Sequence, residues 1–475
     1  MGAEFVSRTP GGLSFDVAVI GAGVVGCAVA REFALGGLRV VLIERGTDIL
    51  SGASKANSAI LHTGFDAVPG SLEARCMRAG HRRYHEIHAQ LGLPLEATGA
   101  LLVAWSDAEL AKLPAILAQA HANGVTDAHR VGRAEMAAIE PGLAADARGG
   151  IVIPGESLID PWSAPLAYAL QAIAHGAQVW RQTEVTGGQL QGDMWRLDTA
   201  RGPVTARVVV NCAGLFGDLV EAIARPSPFA IRPRKGQFVV LDKTARRLVR
   251  GIVLPVPNER TKGVLIAPTV FGNLIVGPTA EDQEDRHDAT TDETTLQTLL
   301  DSGRRMVPAL AAEPVTAAYA GLRPATQIKD FVIEALPRLR WITVGGIRST
   351  GLTASLGIAA HVADLHGAHF GLVPPPAPSQ ATPACLRVPW LAETGARPWA
   401  QPGRDEIVCH CEMVTRAEIV AALEGPLPAG DLGGLKRRTR CMMGRCQGFY
   451  CARRILELAG PRLPGLAMTA GEAAP

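Results

Sequence analysis

Five of the nine cysteines in this 475-residue chain fall between Cys409 and Cys451. Cys409-His-Cys411 comes first, and Cys441, Cys446 and Cys451 follow at equal gaps. In a reducing compartment such cysteines are inert thiols or metal ligands rather than disulfides. Thiolates suit either zinc or an iron–sulfur centre. Zinc sites favour cysteine pairs about two to four residues apart, and Cys409-x-Cys411 is tighter than that. Because the last two gaps are equal, spacing alone does not say which thiols bind.

A second constellation sits near the start. Gly21-Ala-Gly-Val-Val-Gly26 follows a short apolar run, Asp16–Ile20, and opens a helix expected from about Val24 to Leu35. In such a turn Gly21 permits the bend, Gly23 lets backbone approach a pyrophosphate, and Gly26 lets helix and sheet pack closely. The helix N-terminus offers free N–H groups to phosphate. Glu44 closes a second expected strand, Leu38–Ile43, where a carboxylate can accept from ribose hydroxyls. Strand, turn, helix, strand and acid in register imply a bound dinucleotide.

Further buried strands are expected at Val204–Val210 and Trp341–Gly345, and capping boxes at Ser106–Glu109 and Thr415–Glu418 open helices. The chain is 47% hydrophobic and 19% charged, with net charge +2. That is a core-forming composition with no global case for nucleic acid. No long uncharged apolar run suggests a membrane span, and the polar opening MGAEFVSRTPGGLSF does not read as a secretory signal. A cytoplasmic protein is expected, peripheral at the inner membrane through partner subunits. Val373-Pro-Pro-Pro-Ala-Pro-Ser-Gln-Ala-Thr-Pro-Ala384 reads as a semi-rigid linker, or as an ordered loop wrapped on the main body.

From about Phe15 to Leu365 the chain resembles the D-amino-acid oxidase-like FAD oxidoreductases. Ser51-Gly-Ala-Ser-Lys-Ala-Asn-Ser-Ala-Ile-Leu-His-Thr-Gly64 is similar to the segment that runs beneath the flavin in that family. Val208-Val-Val-Asn-Cys-Ala-Gly214 is similar to its second FAD-contacting strand and turn, with Cys212 where alanine is usual. Gly345-Gly-Ile-Arg-Ser-Thr-Gly351 is similar to its late glycine turn. The resemblance implies FAD contacts from Gly21, Gly23, Gly26, Glu44, Arg45, Ser51, Ser54, Asn57, Ser58, Val185, Ala213, Gly214, Gly346, Ser349, Gly351 and Leu352.

Tyr319-Ala-Gly-Leu-Arg-Pro324 resembles the family element whose arginine binds a substrate anion. A guanidinium fork grips carboxylate or phosphate bidentately; the alternative is that Arg323 only pins a turn. His62 suits a base that takes a hydroxyl proton during oxidation of a secondary alcohol, or it only shapes the pocket. Arg348 is a third candidate at the reacting centre. Asn57–Arg75 resembles L-2-hydroxyglutarate dehydrogenases, whereas the C-terminal architecture resembles the A subunit of anaerobic glycerol-3-phosphate dehydrogenases.

The pattern Gly444-x-Cys-Gln-Gly-x-x-Cys451 resembles bacterioferritin-associated ferredoxin-like 2Fe–2S domains. That resemblance implies Cys409, Cys411, Cys446 and Cys451 as cluster ligands and leaves Cys441 extra. The nearby Lys436-Arg-Arg-Thr-Arg440, Arg445, Arg453 and Arg454 could balance cluster charge, guide an acidic partner, or form an ordinary solvated face.

The fold expected is an α/β FAD-binding Rossmann-like domain with an interleaved α+β substrate domain, plus a small C-terminal helical iron–sulfur domain. Residues 14–90, 151–225 and 321–368 are assigned to FAD binding, and 91–150 and 226–320 to the substrate domain. Residues 369–403 are assigned to the linker and 404–463 to the 2Fe–2S domain. The function expected is FAD-dependent oxidation of a small anionic secondary alcohol, glycerol 3-phosphate or a 2-hydroxy acid such as L-2-hydroxyglutarate. Electrons would pass through the 2Fe–2S cluster to a protein subunit or quinone reductase. Alternatives are an amino-acid, hydroxyproline or opine dehydrogenase or oxidase, and a non-enzymatic electron-transfer or iron-handling flavoprotein.

Overall fold

The computed structural model describes residues 14–258, 262–371 and 388–463. The polar opening up to residue 13 and most of the Pro-rich stretch lie outside the described residues.

Apolar β-branched runs make the first sheet, because strands covered on both faces by helices read as continuous hydrophobic segments. Ser14–Ile20, Val40–Ile43, Gln178–Trp180, Val204–Asn211 and Trp341–Gly345 run parallel. A hairpin, Val185–Gln191 with Met194–Thr199, extends the sheet antiparallel, as does Val332–Leu336 on the other side of the crossing. The second strand starts at Val40, two residues later than the sequence pattern suggests. Leu38 still belongs to the turn after the helix, where its N–H bonds Phe33 O.

Helix Val24–Leu35 packs under this sheet. Helix Gly351–Phe370 packs against helix Val24–Leu35, and helix Leu72–Leu91 packs against Gly351–Phe370 in turn. The two longer helices meet closely. They touch backbone to backbone at glycines. A Cβ on Gly80 would sit 2.0 Å from Thr353 O, and one on Gly357 would sit 2.1 Å from Cys76 O.

The nine-stranded second sheet carries the long antiparallel pair Ile231–Leu241 and Val315–Thr326. It also takes Gly149–Ile153, so its hydrogen bonding runs past the boundaries at 150 and 320 expected from sequence. Arg323 therefore belongs to this sheet rather than to the flavin-binding half. At Ser106 only half of the expected capping box forms: Ser106 Oγ accepts from Glu109 N, but the Glu109 carboxylate accepts from Trp105 N instead of Ser106 N, and the helix has only four residues, Asp107–Leu110.

The expected linker 369–403 begins inside the Gly351–Phe370 helix. Residues 388–403 do not behave as a spacer: Val388, Leu391, Ala392 and Arg397 are buried, and Glu393 N–H bonds Val270 O at 2.8 Å. The apolar residues in that stretch gain more from packing than from solvent. The C-terminal module has its own core of Val408, Val414, Ile419, Leu435 and Ile455, with a complete Thr415–Glu418 capping box. Among the described residues no helix is long and apolar enough to cross a membrane.

Gly357→Ala should strain the helix contact, because the methyl group would press on backbone that has no rotamer to yield. We expect a loss of about 1–3 kcal/mol, read as a lower denaturation midpoint of the full chain. An unchanged midpoint would mean the two helices separate freely.

Candidate functional site

The glycine turn ends the first strand. Gly21 has φ +101°, in the region that favours glycine, and a Cβ there would lie 2.5 Å from Cys212 O. A Cβ on Gly26 would lie 1.8 Å from Gly21 O. Glu44 ties this turn to the next loop: its carboxylate accepts from Ala22 N and Gly46 N, both at 2.8 Å. Ser54 Oγ accepts from Val24 N at 3.0 Å, in the first turn of the helix.

These residues border a cavity of about 1140 Å³. Small-ligand pockets run to about 300–1,000 Å³, so this one has room for a dinucleotide and a substrate together. Gly21, Gly23, Glu44, Arg45, Ser51, Ser54, Asn57 and Ser58 line it, and so do Val185, Ala213 and Gly214 from the strand ends. Ser349, Gly351 and Leu352 close it at the late helix. Gly26 and Gly346 do not border it. Gly26 serves helix packing, and Gly346, at φ +70°, turns the chain beside Asp330 O. Arg45 lies 3.5 Å above the Phe216 ring, a cation–π contact.

His62, Arg323 and Arg348 line the same cavity. His62 Nδ1 lies 2.8 Å from Glu156 Oε2, so Nδ1 carries the proton and the ring's other nitrogen is left to accept. Glu156 is fully buried; its other oxygen accepts from Thr63 N at 2.7 Å and Thr63 Oγ at 2.8 Å. Burial pulls the His62 pKa down, but the Glu156 carboxylate and more distant Asp66 outweigh it and leave it above 6.5. Lys262 Nζ pairs with Asp66 Oδ2 at 2.6 Å at the same end of the cavity. Enclosure works against the charge of Asp66, and pairing with Lys262, whose side chain stays open to solvent, more than offsets it, so both stay ionised.

Arg323 donates to Thr279 O at 3.2 Å and has no carboxylate partner among the described residues. Burial, then nearby Arg234, pulls its pKa down to about 10. An incoming anion would relieve that strain. The guanidinium lies so near Gly236 that a Cβ there would come within 2.6 Å of Nη2. Arg348 is already engaged, donating to Lys329 O, with Glu73 3.9 Å away. Sequence reasoning missed Glu156, Lys262 and Asp66. Glu156 lies 94 residues from His62 in the chain.

In the C-terminal module Cys409, Cys411, Cys446 and Cys451 border one pocket of about 480 Å³. Side-chain hydrogen bonds join Cys411 to Cys446 and Cys451 to Cys409, while Cys409 also lies within electrostatic reach of Cys411 and Cys441. Backbone N–H groups of Tyr450, Gly448 and Phe449 hold Cys446 below its ordinary pKa, a setting made for a thiolate. Cys441 is fully buried beside Thr439 and does not border the pocket. No three His, Cys, Asp or Glu side chains among the described residues converge as on a single metal ion. Two sulfur pairs fit a two-iron centre better, since each iron then takes one pair.

The basic run does not circle this pocket. Arg437, Arg438, Arg440 and Arg445 turn to Ile49 O, Asp48, Glu412 and Asp242, and only Arg454 reaches the pocket. Arg438 and Arg445 find carboxylates of the main body, Arg437 a backbone carbonyl, and Arg440 a carboxylate of its own module.

The family described as FAD dependent oxidoreductase matches residues 16–365, and that described as BFD-like [2Fe-2S] binding domain matches residues 407–459. The chain is 33% identical over 467 residues to glycerol 3-phosphate dehydrogenase of Caloramator mitchellensis, covering 96% of this chain and 95% of that one. It is 28% identical to the A subunit of the anaerobic glycerol-3-phosphate dehydrogenase of Escherichia coli K12, covering 95% and 89%. L-alpha-glycerophosphate oxidase from Mycoplasma pneumoniae, solved with FAD bound, superposes with TM-score 0.70 at 29% identity, covering 74% of this chain and 94% of its own.

Serine at Cys446 or Cys451 should abolish bound iron and the electron paramagnetic resonance signal of the reduced protein. Serine at Cys441 should keep both. A signal lost with Cys441→Ser and kept with Cys451→Ser would reverse the ligand assignment.

Proposed function

The chain belongs to the FAD-dependent oxidoreductases, and on that premise we propose that it is a dehydrogenase of glycerol 3-phosphate. The electrons leave by way of the C-terminal 2Fe–2S module to an accepting protein partner that feeds a quinone. One observation carries this reading: a single cavity is bordered by His62, paired to buried Glu156, by the Lys262–Asp66 pair and by an Arg323 with no carboxylate partner among the described residues. A base and a guanidinium without a carboxylate partner among the described residues, in one chamber, suit an alcohol joined to an anion. The long relatives named for glycerol 3-phosphate favour phosphate over a second carboxylate. The L-2-hydroxyglutarate dehydrogenase of Caenorhabditis briggsae aligns with only 56% of this chain. The Escherichia coli relative is named as one subunit of its enzyme, which supports an electron-accepting partner here. We place the protein in the cytoplasm, held at the inner membrane by that partner.

FAD, when bound, supplies the hydride acceptor. The residues positioned to hold it are those of the glycine turn, Glu44, Ser51, Ser54, Ala213 and Gly214. We assign Cys409, Cys411, Cys446 and Cys451 to the cluster. Arg323 takes the substrate anion in its fork. His62, through the ring nitrogen opposite Nδ1, takes the hydroxyl proton as the adjacent C–H is lost. Glu156 fixes the tautomer that leaves this nitrogen free and stabilises the imidazolium once formed. Lys262 stays cationic and adds positive charge beside the base.

Mixing the protein anaerobically with glycerol 3-phosphate, L-2-hydroxyglutarate or hydroxyproline and following flavin absorbance tests the assignment. Rapid bleaching by glycerol 3-phosphate is expected. Bleaching by hydroxyproline alone would replace it with amine oxidation, and bleaching by none of them would favour an electron-transfer protein.

His62 must be neutral to accept a proton, so flavin reduction should rise with pH through a limb above 6.5. Glu156→Gln should move that limb downward, because it removes the carboxylate that favours the imidazolium. His62→Gln should abolish the limb. A limb that stays put in Glu156→Gln would detach the carboxylate from the base.

Arg323→Lys keeps the charge and loses the fork. Substrate binding should weaken by about 1.5–3 kcal/mol, seen in KM, while FAD affinity stays unchanged. An unaltered KM would assign Arg323 to structure.

A further inference from the structure

The loop from Gly46 to Ser51 has two faces. Gly46 and Ser51 border the cavity. Asp48 points the other way and is fully buried. Arg438 of the C-terminal module grips its carboxylate with both terminal nitrogens, Nη2 donating to Oδ1 at 2.8 Å. Gly430 N–H donates to the same carboxylate at 3.2 Å. Arg181 Nη1 reaches Asp48 Oδ1 at 3.4 Å and also donates to Pro428 O at 2.6 Å. On either side, Thr47 Oγ1 donates to Asp431, and Arg437 donates to Ile49 O at 3.1 Å.

The approach leaves no room for side chains. A Cβ on Gly434 would lie 1.7 Å from Asp48 Oδ2, and one on Gly430 would lie 1.9 Å from Thr47 O. Both glycines thus mark a surface shaped to this loop. The loop itself is conformationally costly. Leu50 is buried at φ +62°, a left-handed backbone that branched side chains adopt only where the surroundings impose it. Its N–H donates to Ala22 O at 3.0 Å, inside the glycine turn. Ser51 Oγ donates to Asp48 O, so the buried residue also sets the hydroxyl-bearing end of the loop.

A wholly buried carboxylate is costly unless paired, and removing its partner leaves the charge uncompensated. Besides Arg181 and the N–H of Ile49, the hydrogen bonds to the Asp48 carboxylate come from the module. We propose that the iron–sulfur module is a structural part of the dinucleotide site. Asp48 is a positioning residue, and Arg438 holds residues 46–54 in the form that receives FAD. Coupling of this kind is reciprocal, so bound FAD in turn stabilises the docked module.

The test uses the full-length protein. FAD affinity is measured by flavin fluorescence on titrating deflavinated protein, and iron content reports the module. Arg438→Met should weaken FAD at least tenfold while iron is retained. Arg438→Met combined with Asp48→Leu should recover most of that loss, because the buried carboxylate is gone with its partner and Arg181 keeps its bond to Pro428 O. Gly434→Ala should weaken FAD in the same direction. Unchanged FAD affinity in Arg438→Met with iron retained would overturn the proposal. Should that variant lose its fold, the native protein decides. Hydrogen exchange across residues 428–438 should slow when FAD is added, and no change there would equally overturn it.

Discussion

The third glycine of the turn sets how near helix Val24–Leu35 can come to the first strand, and much else follows from that distance. With a Cβ on Gly26 only 1.8 Å from Gly21 O, nothing larger than hydrogen fits. The helix N-terminus therefore points at the end of the strand, beside the turn at Cys212–Gly214. Glu44 closes the arrangement by accepting from Ala22 and Gly46 at once. Three chain segments are thereby held around one mouth, with the helix N-terminus among them. The second sheet needs only to roof that space, and its long Ile231–Leu241 and Val315–Thr326 pair brings Arg323 over it.

Much of this was legible because its cause is local. A glycine turn after an apolar run, an acid after the next run and cysteines in a motif all act within a few residues of each other. The strand at Trp341–Gly345 and the helix at Val24–Leu35 are found where the pattern put them. His62 stood out because it sits in a recognisable segment. The reach of the second sheet was less visible, since strand edges are decided by pairing partners rather than by residue type.

Glu156, Lys262 and Asp48 were not legible for a different reason. Each is an ordinary charged residue in an unremarkable stretch, and its role exists only through a partner far away in the chain. Glu156 meets His62 across 94 residues, and Asp48 meets Arg438 across 390. Composition did show a basic run at Lys436–Arg440, but its direction could not be read. Without the fold, a cation beside a thiolate cluster suggests the cluster as its target. Arg438 and Arg445 face the main body, where Asp48 and Asp242 need a cation, Arg437 reaches the backbone carbonyl of Ile49, and Arg440 is taken by Glu412 of the module itself.

The contacts of the module fall on both halves of the main body. Arg438 reaches Asp48 in the dinucleotide-binding half. Arg445, next to Cys446, pairs with Asp242 at the end of the long second-sheet strand, and Glu412, next to Cys411, lies 3.4 Å from Lys243. Arg440 also pairs with Glu412 at 2.8 Å and lies 4.0 Å above the Phe271 ring. Buried ion pairs add little net stability, because desolvation takes back most of what attraction gives. Their effect on register is larger. A module shifted by one helical turn would take Arg438 away from Asp48, leaving only the longer Arg181 contact, and would part Glu412 from Lys243, and stripping a buried charge of a partner is costly. Apolar packing alone would tolerate such a slip far better. The pairs therefore fix where the thiolates sit relative to the cavity, which is what two centres exchanging electrons require of a scaffold.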